Sequence, residues 1–295
     1  MKTILIVGCG YRGKRLAQRL MAEGHNVRGM TRSADRAIGF VTLGIDPVIA
    51  DVTKPDTLRD IGKGVSAVYH LMGSMNGDDA QLHALHVEGT RNLLDALQGC
   101  TLTRYVYESS TAVYGQTAGE WIDEDVPREP TSKMGKLRVQ AEDLLMNACK
   151  NGGLPLIILR PSSIYRPEGV INKKIREGTY TLTTDPGKMM NHIYINDFVE
   201  IMAKALACGR IGEAYNVTDD TPKTFRQYVD QIATLMSVPP PRAEWQPPAG
   251  GCGDLIQASN KRCSNEKLKR EFNLTLKFPS YREGLKESAR QNWRE

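Results

Sequence analysis

The sequence predicts an α/β protein: a Rossmann-type, doubly wound parallel sheet with a smaller C-terminal substrate-binding region. Three observations carry that expectation. Short apolar, β-branched runs alternate with stretches at helical spacing through the first half of the chain. The first run, Thr3-Ile4-Leu5-Ile6-Val7, enters Gly8-Cys9-Gly10-Tyr11-Arg12-Gly13 and then Lys14 to Met21 at helical spacing, and strand, G-x-G-x-x-G and helix in that order form a dinucleotide fingerprint. The chain, at 295 residues, is long enough to bury a large core.

Each part of the opening turn has a mechanical reason. Gly8 allows the tight turn, Gly10 lets the backbone approach a pyrophosphate, and Gly13 lets the helix pack close to the strand. The N–H groups at the helix start, around Tyr11 and Arg12, are placed to hold the anion. The second strand, Val27 to Arg32, ends in Met30-Thr31-Arg32-Ser33, with no carboxylate before Asp35. A site for NAD commonly places Asp or Glu here for the ribose 2′-hydroxyl, whereas a 2′-phosphate calls for cationic or neutral donors. Arginine suits phosphate because its planar fork donates bidentately. Arg32, with Arg12 read as lying on the same side and Thr31 and Ser33 beside it, therefore points to NADP(H) in preference to NAD(H).

A third strand is expected over Pro47-Val48-Ile49-Ala50-Asp51-Val52, a short helix around Pro55 to Ile61, and a fourth strand over Ala67 to Gly73. His86 to Leu97 is amphipathic and helical, Arg104 to Ser110 is a fifth strand, and Leu156 to Pro161 a sixth. Residues 1–165 read as the dinucleotide-binding domain, with 190–220 returning to it, and 166–295 mostly as the substrate-binding region. Pro239-Pro240-Pro241 and Pro247-Pro248-Ala249-Gly250-Gly251 mark a stiff, then flexible, connection.

Composition narrows the partners. A net charge of +5 from scattered basic residues argues against nucleic acid and membrane surfaces and fits a small anionic substrate. The six cysteines lie far apart, without C-x-x-C or a His-Cys cluster, which argues against a metal and for free thiols in a reducing compartment. Cys9 reads as a small filler of the glycine turn. No leader and no run of membrane-spanning length is apparent, so a soluble, cytoplasmic protein is expected.

The accumulated pattern resembles the extended and atypical short-chain dehydrogenases, the NAD-dependent epimerase/dehydratase family, over almost the whole chain. Besides the glycine turn, Asp51-Val52 matches the pair used there near the adenine, and Leu71-Met72-Gly73 the loop along the cofactor. His86-Val87-Glu88-Gly89-Thr90-Arg91-Asn92-Leu93-Leu94 looks like that family's fourth helix, and Ser109-Ser110-Thr111-Ala112-Val113-Tyr114-Gly115 like its serine strand. Leu159-Arg160-Pro161-Ser162-Ser163-Ile164-Tyr165 resembles the segment passing the nicotinamide, which brings Pro161 into the cofactor set. Asn191 to Asp197, Tyr215-Asn216-Val217 and Phe278 to Leu285 resemble later landmarks.

The resemblance implies a Tyr-x-x-x-Lys pair on one helix face, the lysine holding ribose and the tyrosine moving a proton. Alignment on Pro130-x-Ser132-x-x-Gly135 puts Met134 at the tyrosine position and Arg138 at the lysine position. A thioether has no exchangeable proton, and an arginine effectively never loses its own. Ser110 keeps a hydroxyl to orient a carbonyl. Tyr165 is the first candidate for a replacement acid or base, with Tyr114, His192 and Tyr194 behind it. The catalytic set is therefore Ser110, Arg138 and Tyr165.

Arg160, Lys173, Lys174, Arg176, Lys188, Lys261 and Arg262 offer donors for an anionic group. A homodimer through the helices after the fourth and fifth strands is implied by the resemblance, with Val139, Leu144 and Leu145 to serve it. Two functions stay open. One is an NADP(H)-dependent epimerase, dehydratase or reductase acting on a sugar or nucleotide-sugar type substrate. The other is a catalytically inactive NADP(H)-binding sensor.

Overall fold

The first strand, β1 (Thr3–Val7), is apolar on both faces, so it can only lie inside a sheet covered by helices on both sides. A computed structural model describes residues 1–73, 76–245 and 259–292. In chain order β1 leads to α1 (Tyr11–Ala22), β2 (Asn26–Thr31), α2 (Ala34–Val41), β3 (Asp46–Ile49), a 3₁₀ turn (Pro55–Leu58), β4 (Ala67–His70), α3 (Asp79–His83), α4 (Gly89–Ala96) and β5 (Arg104–Glu108). There follow β6 (Glu120–Ile122), α5 (Lys133–Gly152), β7 (Leu156–Pro161), β8 (Ser163–Tyr165), α6 (Val170–Arg176), β9 (Met189–Met190), β10 (His192–Tyr194), α7 (Ile195–Lys204) and β11 (Glu213–Val217). The chain closes with β12 (Lys223–Thr224), α8 (Phe225–Met236), β13 (Lys261–Cys263), α9 (Glu266–Phe272) and α10 (Tyr281–Asn292).

Seven strands form the central sheet in the order β11-β7-β5-β4-β1-β2-β3. The pairings β1·β2, β1·β4, β2·β3, β4·β5 and β5·β7 are all parallel. The strand order therefore reverses at β1, which is where a doubly wound sheet opens a crevice for a ligand. Leu5, Val7, Val68, Tyr105, Tyr107, Leu156 and Ile158 fill one core beneath the helices.

Several expected strands stop early, each for a local reason. The third leaves the ladder at Ile49 because the Asp51 carboxylate accepts from the Thr53 N–H (3.0 Å) and hydroxyl (2.8 Å), closing a turn. The fifth ends at Glu108 because the Ser110 hydroxyl accepts from Ala112 N–H (3.1 Å) and the chain winds into a 3₁₀ turn over Thr111–Val113. The helix expected over His86 to Leu97 starts sooner, at Asp79, passes through a π turn at Ala84–Glu88 and resumes as α4. There Gly89 faces Val52, where a Cβ would come within 2.6 Å of Val52 Cγ2, and Asn92 Nδ2 donates to Val52 O (2.8 Å).

Residues group into two compact units, one of 1–113, 133–160 and 199–215, the other of 114–132, 161–198 and 216–295. In the first, α5 is tied to the sheet by a buried ion pair. Arg160 on β7 donates to Glu142 through Nε (3.0 Å) and Nη2 (2.7 Å), and the Ser109 hydroxyl donates to the same carboxylate. Arg160 is thus taken out of the expected anion-binding set. Leu145 is fully buried in the core, and Leu144 is partly buried against Leu82, Val87 and Leu137.

In the second unit β8 and β10 pair in parallel, as do β6 and β13, and β9 and β12 pair antiparallel. These two- and three-residue strands have too little pattern to be seen in sequence. Pro247 to Gly251 and Cys252 lie outside the described residues.

Candidate functional site

A groove of about 280 Å³ opens in the first unit over the C-terminal ends of β1, β2 and β4, lined by the glycine turn and the residues that follow these strands. Its floor is the turn itself. Gly8 has φ +84°, and a Cβ there would come within 2.9 Å of Leu71 O; both conformation and space demand glycine. A Cβ on Gly13 would press on Gly8 O and Ile6 Cγ2, each at 3.2 Å, so α1 lies directly on the strand.

Gly10 begins α1 without a capping side chain, and no acidic residue stands in the first turn. The first N–H groups of an α-helix have no partner inside it, and here neither a cap nor a carboxylate competes for them. That is the donor set a pyrophosphate requires, so the residues present fit a dinucleotide. Cys9 is buried beneath the turn and its thiol is pushed up to about 12 by burial, which suits a filler.

At the β2 side, Thr31 is buried and its hydroxyl accepts from Ser33 N–H (3.2 Å), while Ser33 caps α2 by accepting from Arg36 N–H (3.3 Å). Arg32 is 68 % exposed and lies 3.8 Å from Asp51. Arg36, which the sequence reading missed, also lines the groove from the first turn of α2. Its signal was Ser33 in the N-cap position, which puts Arg36 in the first turn of α2. Asp51, Val52, Leu71, Met72 and Gly73 also line the groove.

Arg12 is placed differently from the expectation. It turns away from Arg32 and makes a two-pronged ion pair with Glu108 at the end of β5, Nη2 to Oε1 at 2.7 Å and Nε to Oε2 at 3.1 Å. With neighbouring strands about 4.8 Å apart, β2 and β5 are separated by roughly 14 Å across the sheet. Arg12 and Arg32 therefore face different stretches of any ligand.

Arg138 is buried, and its donors go to the protein itself. Nη1 donates to Glu108 O (2.9 Å) and Tyr107 Oη (3.2 Å), and Nη2 to Met72 O (2.9 Å). It stitches the ends of β4 and β5 together, so the expected ribose contact meets a guanidinium already engaged. Met134, one turn earlier, packs in an apolar cluster with Leu82, Val87, Leu137 and Leu144. A thioether is at home there; a phenol would need a partner for its hydroxyl. Ser110 is half-buried at the end of β5 and its hydroxyl only accepts, from Ala112 N–H. Pro161 closes β7 and is buried.

The remaining acid/base candidates lie in the core of the second unit. Tyr165 is 7 % exposed, ringed by His192, Tyr194 and Tyr228, and its hydroxyl has no partner among the described residues. Burial drives its pKa far above the ordinary phenol value. His192 stacks on Tyr228 at 4.1 Å and is held neutral by burial, and the Tyr114 hydroxyl donates to Asn216 Oδ1 (3.0 Å). These placements put the Tyr165 ring inside an aromatic core, where burial disfavours the ionised phenol.

Lys261 likewise donates to Tyr114 O (2.9 Å) and Ser259 Oγ (2.7 Å), and Arg262 to Gly119 O. Among the described residues no group of three or more His, Cys, Asp or Glu is arranged to hold a metal, and no helix is long and apolar enough to cross a membrane.

Beside that aromatic core, Lys223 and Asp219 form a buried pair at 3.0 Å. Burial pushes the Asp219 carboxyl up to about 6 and the Lys223 ammonium down to about 8. Between about pH 4, where a free Asp titrates, and about 6 the folded chain holds a proton that the unfolded chain has released. The Asp219 contribution to stability therefore falls as pH rises through that window. The slope should flatten in Asp219→Asn, measured by urea unfolding at several pH values; equal slopes in the two proteins would refute the assignment.

The glycine turn, the strand order and the groove define a dinucleotide-binding fold, and the family is settled by comparison. The NAD dependent epimerase/dehydratase family matches residues 4–218, and the chain belongs to it. A Stigmatella aurantiaca 4-hydroxy-2-methyl-3-oxo-4-farnesyl-3,4-dihydroquinoline-1-oxide ketoreductase is 27% identical over 250 residues, 81% of this chain and 74% of that protein. A conserved Silicibacter pomeroyi protein of unknown function is similar in structure, with a TM-score of 0.80 and 27% identity over 98% of this chain and 99% of that one. UDP-glucose 4-epimerase from Thermotoga maritima, solved with UDP-glucose, superposes with a TM-score of 0.86 at 17% identity over 100% and 99% of the two chains, a likeness of fold alone.

Proposed function

We propose that this chain is an NADP(H)-dependent enzyme of the family's reductase and epimerase type, working on a sugar or nucleotide-sugar type substrate without the family's tyrosine. The observation that carries the cofactor choice is the pair Arg32 and Arg36 at the groove mouth, with Ser33 between them and no carboxylate at the end of β2. The dinucleotide, when bound, supplies or takes the hydride. For the chemistry, Ser110 is the group left in place: its oxygen is engaged as an acceptor, so its O–H is available to donate to a carbonyl oxygen. With Met134 in the tyrosine position the proton comes from water. The second unit is read as the substrate-binding region, and its likeness in fold to a nucleotide-sugar epimerase supports that class of substrate.

A second reading, a sensor that binds NADP(H) without turnover, is favoured by the apolar packing of Met134 and the burial of Tyr165. Consumption of NADPH with a panel of 4-keto nucleotide sugars, run beside a binding titration, separates the two. The enzyme should show substrate-dependent oxidation that falls by roughly 10²-fold in Ser110→Ala, the usual loss when one donor to a developing oxyanion is removed. Tight NADPH binding with no oxidation above background across the panel would sink the enzymic reading.

A further inference from the structure

We propose that Arg12 is a fixed cation for the nicotinamide-side phosphate of the dinucleotide bridge and that Glu108 is the residue that positions it. The inference rests on the reading that the groove takes a nicotinamide dinucleotide, and it is independent of which one. Three elements converge on one guanidinium. The glycine turn carries Arg12 and the end of β5 carries Glu108. After β4, Gly73 leaves the space: a Cβ there would run into Arg12 Nη2.

The carboxylate is 5 % exposed, while the guanidinium beside it is 31 % exposed and lines the groove. Glu108 is held in turn, because its main-chain oxygen accepts from Arg138 Nη1 at 2.9 Å. The pair engages Nε–H and one Nη2–H. An arginine has five N–H groups, so three remain outside the pair.

An arginine on a solvated loop would lose its rotamer freedom on seizing a phosphate; this one is ordered beforehand. Its place on the β5 side, far from Arg32 and Arg36, puts it beyond the 2′-phosphate. The group it can reach is common to NAD(H) and NADP(H). Arg12 should therefore govern how tightly a dinucleotide binds and leave the choice between the two untouched.

Titrations of NADPH, NADH and adenosine 2′,5′-bisphosphate against the full chain test this. The last probe carries the 2′-phosphate but lacks the second phosphate of the bridge. Arg12→Met should weaken NADPH and NADH alike by about 10-fold or more, the worth of a charge-assisted contact, and leave the bisphosphate unchanged. Glu108→Gln, which keeps size and hydrogen bonding, should weaken both dinucleotides in the same proportion. The double variant should be no weaker than Arg12→Met alone, a non-additivity that a merely structural Glu108 would not produce.

Arg12→Lys, charged but without the fork, should recover only part of the loss. It also decides the matter if Glu108→Gln does not fold. Unchanged dinucleotide affinity in Arg12→Met, or losses that multiply in the double variant, would overturn the proposal. Equal binding of NADPH and NADH by the unaltered chain would overturn the cofactor preference and leave this test standing.

Discussion

Replacing Arg32 by Asp and Arg36 by Ala together is expected to weaken NADP(H) binding by about 10²–10³-fold, with NAD(H) held within a few-fold. The size of the effect follows from what each arginine is doing without ligand. Arg32 is mostly exposed, and its contact with Asp51 is long. Such surface pairs contribute little, so almost nothing holds the guanidinium back from a phosphate. Arg36 is exposed on the first turn of α2 and lines the groove. An aspartate at position 32 adds a like charge beside Asp51, which repels a 2′-phosphate and accepts from a 2′-hydroxyl. Calorimetric titration of both dinucleotides into the double variant checks this. A NADPH-to-NADH ratio unchanged from the parent would mean that other groups read the phosphate.

Glu142→Ala should cost about 3–5 kcal/mol of stability, the range for removing one partner of a buried pair. Glu142 is 0 % and Arg160 6 % exposed, and the substitution strands the guanidinium of Arg160 and the hydroxyl of Ser109 together. Replacing both charges at once, Glu142→Leu with Arg160→Met, should come much closer to neutral, because the cost lies in the uncompensated ion rather than in the absence of the pair. Urea unfolding of the two variants separates these cases; a loss below about 1 kcal/mol in Glu142→Ala would show that water reaches Arg160 and replaces the lost partner. The pair also holds α5, the helix that carries Met134 and Arg138, to β5 and β7. Its loss should therefore be felt in dinucleotide binding before the chain unfolds.

The two arginines of the opening expectation show where sequence reading works and where it stops. Arg32 could be placed at the groove because the end of β2 lies a short, fixed distance along the chain from the glycine turn. Arg12 sits inside the turn itself, yet its direction could not be read. A long side chain goes to the partner that offers a buried carboxylate, and Glu108 is distant in sequence and close only through the order of the strands. Arg36 was missed for a smaller reason, since it falls in the first turn of a helix at the groove only once Ser33 is known to cap that helix.

Helix α5 shows the same division. Its sequence sets out that a thioether stands at position 134 and a guanidinium at 138. Whether these are an altered site or a piece of packing depends on what faces them. Arg138 faces Glu108 O, Tyr107 and Met72 O, and Met134 faces leucines and a valine. Tyr165 had the composition of an acid/base and turned out to be core, because β8 is paired with β10 and buries its ring among three others.

What the sequence by itself determined is the strand–glycine turn–helix cradle, the alternation that makes the sheet parallel, and a methionine and an arginine four residues apart at positions 134 and 138. All three are properties of neighbours along the chain, set by backbone conformation and side-chain period. Only the tertiary structure decided how each charge is engaged: Arg12 on Glu108, Arg160 on Glu142, Lys223 on Asp219, and Arg32 in a long, mostly exposed contact with Asp51. The physical reason is that a charge is defined by its partner and its access to water, and both are supplied by segments far away in sequence.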